Sequence, residues 1–361
     1  MKQILSLFRW LVILLLIIAV AFFIYVSVKI NQPYRTNENR QVFSVPAGTT
    51  TKEVARSLED EGLISSAFFF ELHVYLKKIG EKIQAGNYEF SPSMSIGEIA
   101  ARLTAGDVVD NSVRVTILEG WRIEDIAAAL ETAGLQSERE FRMFTSPSVP
   151  GRGHDFSGEF SFLVDKPQDM GLEGYLFPDT YLLADGSTSE DIARKFLQNF
   201  DRKLTSDLRA RISEQKKTIY EVVTMASIIE REVGRNLKKG TKLSVEDARK
   251  LEEERKLVAS VFYNRLEIGM ALESDATVAY ITGSNSDRAT IEETKINSPY
   301  NTYRYKGLPP GPISNPSLAS IEAAIHPADS EYLFFLTSAD GTAYFGRTLE
   351  EHIQNRERYL E

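Results

Sequence analysis

The amino-acid sequence predicts an α+β protein carried on an N-terminal transmembrane helix. Three observations carry that reading: an unbroken apolar run at residues 10–28, a strand-turn-helix pattern that returns 72 residues after its first appearance, and long helical periodicities beyond residue 146 that close on two short strand-like segments.

Residues 1–9 form a short tail. "WLVILLLIIAVAFFIYVSV", Trp10 to Val28, has 19 residues without a charge, enough to cross ~30 Å of hydrocarbon as a helix. Ala19-Val20-Ala21 offers a signal-peptidase-like spacing, but "FFIYV" prolongs the apolar run where a cleavage region would turn polar. An anchor is therefore expected. Lys2 and Arg9 before the run are matched by Lys29, Arg35 and Arg40 after it, so the short tail decides the orientation: N-terminus inside, body outside the cytoplasm.

After a linker at 29–42, "FSVPAGTTTKEVARSLEDEGL" from Phe43 reads as strand, tight turn and helix, with Thr50 and Glu53 as a capping box. "VTILEGWRIEDIAAALETAGL" from Val115 repeats the plan, aligning Gly48 with Gly120, Leu58 with Leu130 and Gly62 with Gly134. "YEFSPSMSIGEIAARLTAG" is a weaker third version, capped by Ser95 and Glu98. These units, 43–145, read either as plain α+β packing or as carbohydrate-binding units resembling the LysM type.

The Ser-, Pro- and Gly-rich stretch 146–158 marks a boundary to a domain at 146–361. One long amphipathic helix is expected at 189–213, a core helix over "TMASIIEREVG" at 224–234, then a charged segment, the helix "LVASVFYNRLEIG" and the strands "YLFFLTS" and "TAYFG".

The 42 basic and 51 acidic residues, net charge −9, argue against nucleic acid as a partner. Without cysteine there are no disulfides, thiolate metal sites or cysteine nucleophiles. His73, His154, His326 and His352 are scattered, and no cofactor is expected. Ser213 and Lys216 match S-x-x-K, but in a polar helix tail without the companion motifs of acyl-transfer enzymes.

"TMASIIEREVG" places Glu230 at the edge of the stripe formed by Val222, Met225, Ala226, Ile229 and Val233. Val223, Ser227 and Gly234 share its row and leave room beside the carboxyl; Glu232 has Arg235 within reach, whereas Glu230 has no local cation. A carboxyl so placed suits a general acid working near neutral pH. A boundary glutamate or a distant salt bridge is the plainer alternative. "SPYNTYRYKGLPPGPISNP" offers Tyr300, Asn301 and Tyr303 for sugar faces and hydroxyls before a proline-stiffened loop, and Asn264 and Asp275 are further polar candidates.

"ASIIERE", "VASVFYNRLEIGM", "SDATVAY", "SPYNTY" and "GLPPGPISNPSLASIEAAIHP", in that order and with "EGYLFPDTYLL" upstream, resemble the endolytic murein transglycosylase family known as MltG or YceG-like. The chain departs from it at Glu273 and Ala276, where Gln and Pro are frequent, at "TAYFGRT", and in a longer 236–256. The resemblance implies Glu230 as catalytic acid, peptidoglycan glycan as substrate and a 1,6-anhydro product. It further implies a single-pass protein of the bacterial inner membrane that ends nascent strands beside penicillin-binding proteins or other glycan polymerases. The alternatives are a hydrolytic muramidase, for which Glu119 would be the second carboxylate, and a non-enzymatic wall-binding scaffold.

Overall fold

A computed structural model describes residues 2–36, 39–46, 48–106, 112–146, 154–233, 244–284, 288–338 and 341–360. The fold is mixed α+β, in two compact units, Met1–Asn111 and Ser112–Glu361.

In the first unit, helix α1 (Lys2–Asn31) precedes β1 (Gln41–Val45), α2 (Thr51–Asp60), α3 (Ala67–Lys77), β2 (Gly86–Phe90) and α4 (Ile96–Ala105). Ile13–Asn31 of α1 is long and apolar enough to cross a membrane. Its side chains stand exposed from Ile13 to Ile24, whereas Val26 and Ile30 join a core with Phe43, Leu58, Phe70, Tyr88, Phe90 and Ile99. Strand β1 pairs antiparallel with β2, Phe43 opposite Tyr88. Both anticipated capping boxes form: Thr50 N donates to Glu53 Oε2 at 2.8 Å, and Ser95 N to Glu98 Oε2 at 2.8 Å.

The second unit starts with β3 (Ser112–Thr116), α5 (Ile123–Thr132), α6 (Glu138–Thr145) and β4 (Thr180–Ala184), with β3 antiparallel to β4 and Val115 opposite Tyr181. This pairing places the second repeat in the second unit, and the stretch 146–158, of which 147–153 lie outside the described residues, falls inside that unit rather than at its edge. The turn glycines of the two repeats match in backbone as well as in sequence, with φ of +84° at Gly48 and +72° at Gly120, a region open to glycine at little cost.

The single helix expected at 189–213 is two, α7 (Ser189–Lys203) and α8 (Ser206–Glu214). Leu204 leaves the helical region at ψ 78°, and Thr205 accepts from Leu208 N to start the next helix. Ser213 and Lys216 bracket the end of α8, where Lys216 N donates to Ser213 O.

Helices α9 (Ile219–Glu232), α10 (Val245–Glu267), α11 (Asp275–Thr282) and α12 (Leu318–Ile325) follow, then β5 (Phe334–Thr337), β6 (Ala343–Gly346) and α13 (Leu349–Tyr359). The part of the charged segment from Val245 onward and "LVASVFYNRLE", expected as separate pieces, are one helix, α10, while 236–243 lie outside the described residues. Pairs such as Arg249–Glu253 (2.8 Å) and Lys256–Glu252 (2.7 Å) run along its first half at helical spacing. The strands β5 and β6 pair antiparallel as the alternating segments implied.

Candidate active site around Glu230

Helix α9 starts at Thr218, whose side chain accepts from Glu221 N while Glu221 returns to Thr218 N. All of the expected stripe is buried, and so are Val223, Thr224, Ser227 and Ile228: the helix is enclosed on every side from Val222 to Ile229. The room anticipated beside Ser227 is filled by chain. Ser227 Oγ accepts from Ile313 N at 3.0 Å, and Ser314 Oγ donates to Ser227 O at 3.2 Å. Gly234 and Arg235 lie outside the described residues. Burial relaxes at Glu230, which is half-buried at the end of the enclosed stretch.

The proline-stiffened loop that covers Ser227 delivers the N-terminus of α12 to Glu230. Glu230 Oε2 accepts from Ser317 N (3.0 Å), Ser317 Oγ (2.5 Å) and Ser320 Oγ (2.7 Å). A helix N-terminus favours a negative group through its free N–H groups and its dipole. Among the described residues no hydrogen bond reaches Oε1 and no cation pairs with Glu230, so one oxygen is fixed and the other is available.

The turn of the second repeat closes over the same carboxylate. A Cβ built on Gly120 would lie 3.5 Å from Glu230 Cγ, while nothing lies within 4 Å of the equivalent position on Gly48. Gly120 N donates to Asn315 O at 2.9 Å and Asn315 N to Trp121 O at 2.8 Å. Asn315 ties three motifs together: its Oδ1 accepts from Gly174 N and Leu176 N, both at 2.9 Å, and its Nδ2 donates to Trp121 O (3.0 Å) and Glu173 Oε1 (2.8 Å).

Two further carboxyl groups are perturbed. Glu119 reaches solvent at the rim, yet surrounding protein pushes its pKa up, the Glu230 charge adds to that, and Arg255 opposes both. Glu173 keeps part of its side chain at the surface with its carboxyl enclosed, and loss of solvent pushes it up to about 8 against the hydrogen bond from Ile123 N.

The remaining predicted residues are dispersed. Tyr300 packs against Tyr280, ring centroids 4.9 Å apart and tilted by 41°, beside Arg122, whose guanidinium lies 5.3 Å from the Tyr280 ring. Tyr303 Oη donates to Asp275 Oδ1 at 2.7 Å, next to the start of α11, where Glu232 accepts from Ser274 Oγ. Asn301 is fully buried, its Nδ2 given to Thr294 O and Ile296 O, leaving no surface for a sugar. Asn264 Nδ2 donates to Ser330 O and Tyr332 O and so fastens the chain entering β5.

Sequence reasoning missed Ser317, Ser320, Asn315, Glu173 and Arg255. A signal for the serines exists in "NPSLAS", where a serine after proline opens a helix and a second serine follows one turn later.

The YceG-like family model matches residues 43–241 and 244–358. The chain belongs to the YceG-like family. Its YceG-like relatives include an endolytic murein transglycosylase of Bacillus subtilis, 32% identical over 88% of this chain and 84% of that one. A second, from Streptococcus pneumoniae, is 30% identical over 90% of this chain and 59% of its own greater length. The crystal structure of a YceG-like protein from Listeria monocytogenes superposes with a TM-score of 0.55 at 31% identity, covering 88% of this chain and 99% of that one.

Proposed function

We propose that this YceG-like protein is a lytic transglycosylase that cuts the MurNAc–GlcNAc bond of peptidoglycan strands, with Glu230 as acid and then base. The observation that carries the reading is the asymmetry of the carboxyl: Oε2 is held by Ser317 and Ser320 while Oε1 is unengaged. Glu230 gives its proton to the departing glycosidic oxygen as the muramoyl C1–O bond breaks. The carboxylate then takes the proton from that sugar's C6 hydroxyl, whose oxygen bonds to C1 and closes the 1,6-anhydro ring. Attack within one ring avoids capturing a second reactant.

Tyr300 and Tyr303 supply sugar-stacking faces in this reading, with Asp275 orienting Tyr303. The repeats serve as LysM-like glycan-binding units, an assignment consistent with the order strand, helix, helix, strand in both 41–90 and 112–184. Helix α1 anchors the protein in the bacterial inner membrane with its N-terminus inside, so that cleavage ends nascent strands beside the glycan polymerases that make them.

A hydrolytic muramidase is the second reading, favoured by Glu119 lying within electrostatic reach of Glu230. The test is digestion of purified strands by wild type and Glu230→Gln with mass spectrometry of the ends. We expect anhydro ends from wild type and a loss of turnover of roughly three orders of magnitude or more in a folded variant. Reducing ends would favour hydrolysis, and full function of Glu230→Gln in cells would favour a wall-binding scaffold.

A further inference from the structure

Arg255 is a buried charge that forms no ion pair within 4 Å among the described residues, although the carboxylates of Glu119 and Glu254 feel its charge from farther away. It lies on α10, which packs against both α9 and α12, and is only 8% exposed. Its Nε is a buried donor with no acceptor, and among the described residues no carboxylate comes within 4 Å of its guanidinium. Glu252, one turn earlier, is engaged by Lys256 at 2.7 Å. Helix α9 carries Glu230 and α12 supplies the serines that hold it, so the helix of Arg255 borders both supports of the acid.

Burying an unpaired guanidinium is costly, and a fold gains nothing from one unless something else completes it. Its planar fork fits a carboxylate through two parallel hydrogen bonds. We propose that Arg255 receives a carboxylate of the glycan strand, borne on the lactyl or stem-peptide substituent of the muramic acid presented to Glu230. This rests on the transglycosylase reading. The lactyl ether and its peptide distinguish muramic acid from glucosamine, so an anion held at Arg255 also sets which sugar of the alternating strand meets the acid.

The test uses the full-length protein in detergent, as wild type, Arg255→Met and Arg255→Lys. Four substrates separate the sources of the anion: peptide-bearing strands, amidase-stripped strands with a free lactyl carboxylate, and each of these after conversion of carboxylates to neutral amides. Wild type is expected to show a KM about tenfold or more lower for acid strands than for their amides, equivalent to one decade of affinity. Arg255→Met abolishes that preference, the loss falling on KM more than on kcat, and Arg255→Lys restores part of it. The Tm of Arg255→Met is expected at or above the wild-type value, because an unpaired buried charge is removed. Preference on stripped strands assigns the lactyl carboxylate; preference confined to peptide-bearing strands assigns the stem.

An unchanged acid preference in Arg255→Met, an equal loss of kcat on acid and amide strands, or a clear fall in Tm overturns the proposal. Should wild type release anhydro ends from no strand, the transglycosylase reading fails. Equilibrium binding of the same strands then decides the anion site separately: loss of acid preference in Arg255→Met supports it and retention sinks it.

Discussion

Ser317 donates to Glu230 Oε2 twice, through its backbone N at 3.0 Å and its Oγ at 2.5 Å, while capping α12 by accepting from Ser320 N. One residue thus terminates a loop, starts a helix and aims the carboxyl. The consequence is a rigid acid: Glu230 cannot rotate without leaving two donors and a helix N-terminus uncompensated.

Ser320→Ala removes one donor to Glu230 and leaves the Ser317 cap in place. We expect kcat to fall about tenfold with KM little changed, as for the loss of one orienting hydrogen bond. Steady-state kinetics on soluble strands checks this, and an effect confined to KM would contradict it.

Gly48 and Gly120 provide an internal control, sharing a positive φ but not their surroundings. Replacing either by alanine should cost about 1–2 kcal/mol for the left-handed conformation. Only Gly120→Ala should also slow turnover, because its new methyl lies against Glu230 Cγ. Equal activities of the two variants at equal stability would refute the role of the turn.

Glu119→Gln is expected to lower turnover by less than about tenfold, with anhydro ends retained, since a transglycosylase needs one proton-transfer carboxyl. Abolition comparable to Glu230→Gln, accompanied by reducing ends in the wild type, would transfer the reading to a hydrolase.

Glu173 makes stability depend on pH. Its folded pKa, about 8, lies above the ordinary glutamate value of 4.5, so between those values the folded state holds a proton that the unfolded state has released. Stability therefore falls as pH rises from about 4.5 to about 8, is unaffected by this group below that window and levels off above it. Glu173→Gln should flatten this fall, shown by subtracting its Tm profile from that of the wild type. Parallel profiles across pH 5–8 would mean that the carboxyl is not enclosed.

Much of the architecture was legible because it is written in local patterns. The apolar run, both capping boxes, the paired glycines of the repeats and the terminal hairpin depend on residues a few positions apart, and each formed. The split between α7 and α8 escaped because apolar residues continue through the Leu204–Thr205 break: Phe196, Phe200, Leu204 and Ile212 are all buried and recur at intervals of four and eight residues. The room inferred beside Ser227 was wrong for a different reason: small residues admit a ligand or a neighbouring chain equally well, and here residues 313–314 take the space.

By itself the sequence determined the anchor-like helix, the repeated strand-turn-helix units and the singular placement of Glu230, because hydrophobic period, caps and turn glycines act over one or two helical turns. Only the tertiary structure decided what surrounds that acid. Ser317 and Ser320 lie 87 and 90 residues from Glu230, and Asn315 bonds to Trp121 and Glu173 across 194 and 142 residues. Such contacts arise when separate cores pack and bring distant polar groups together, and no periodicity along the chain encodes which serine, asparagine or arginine will be left facing the carboxyl.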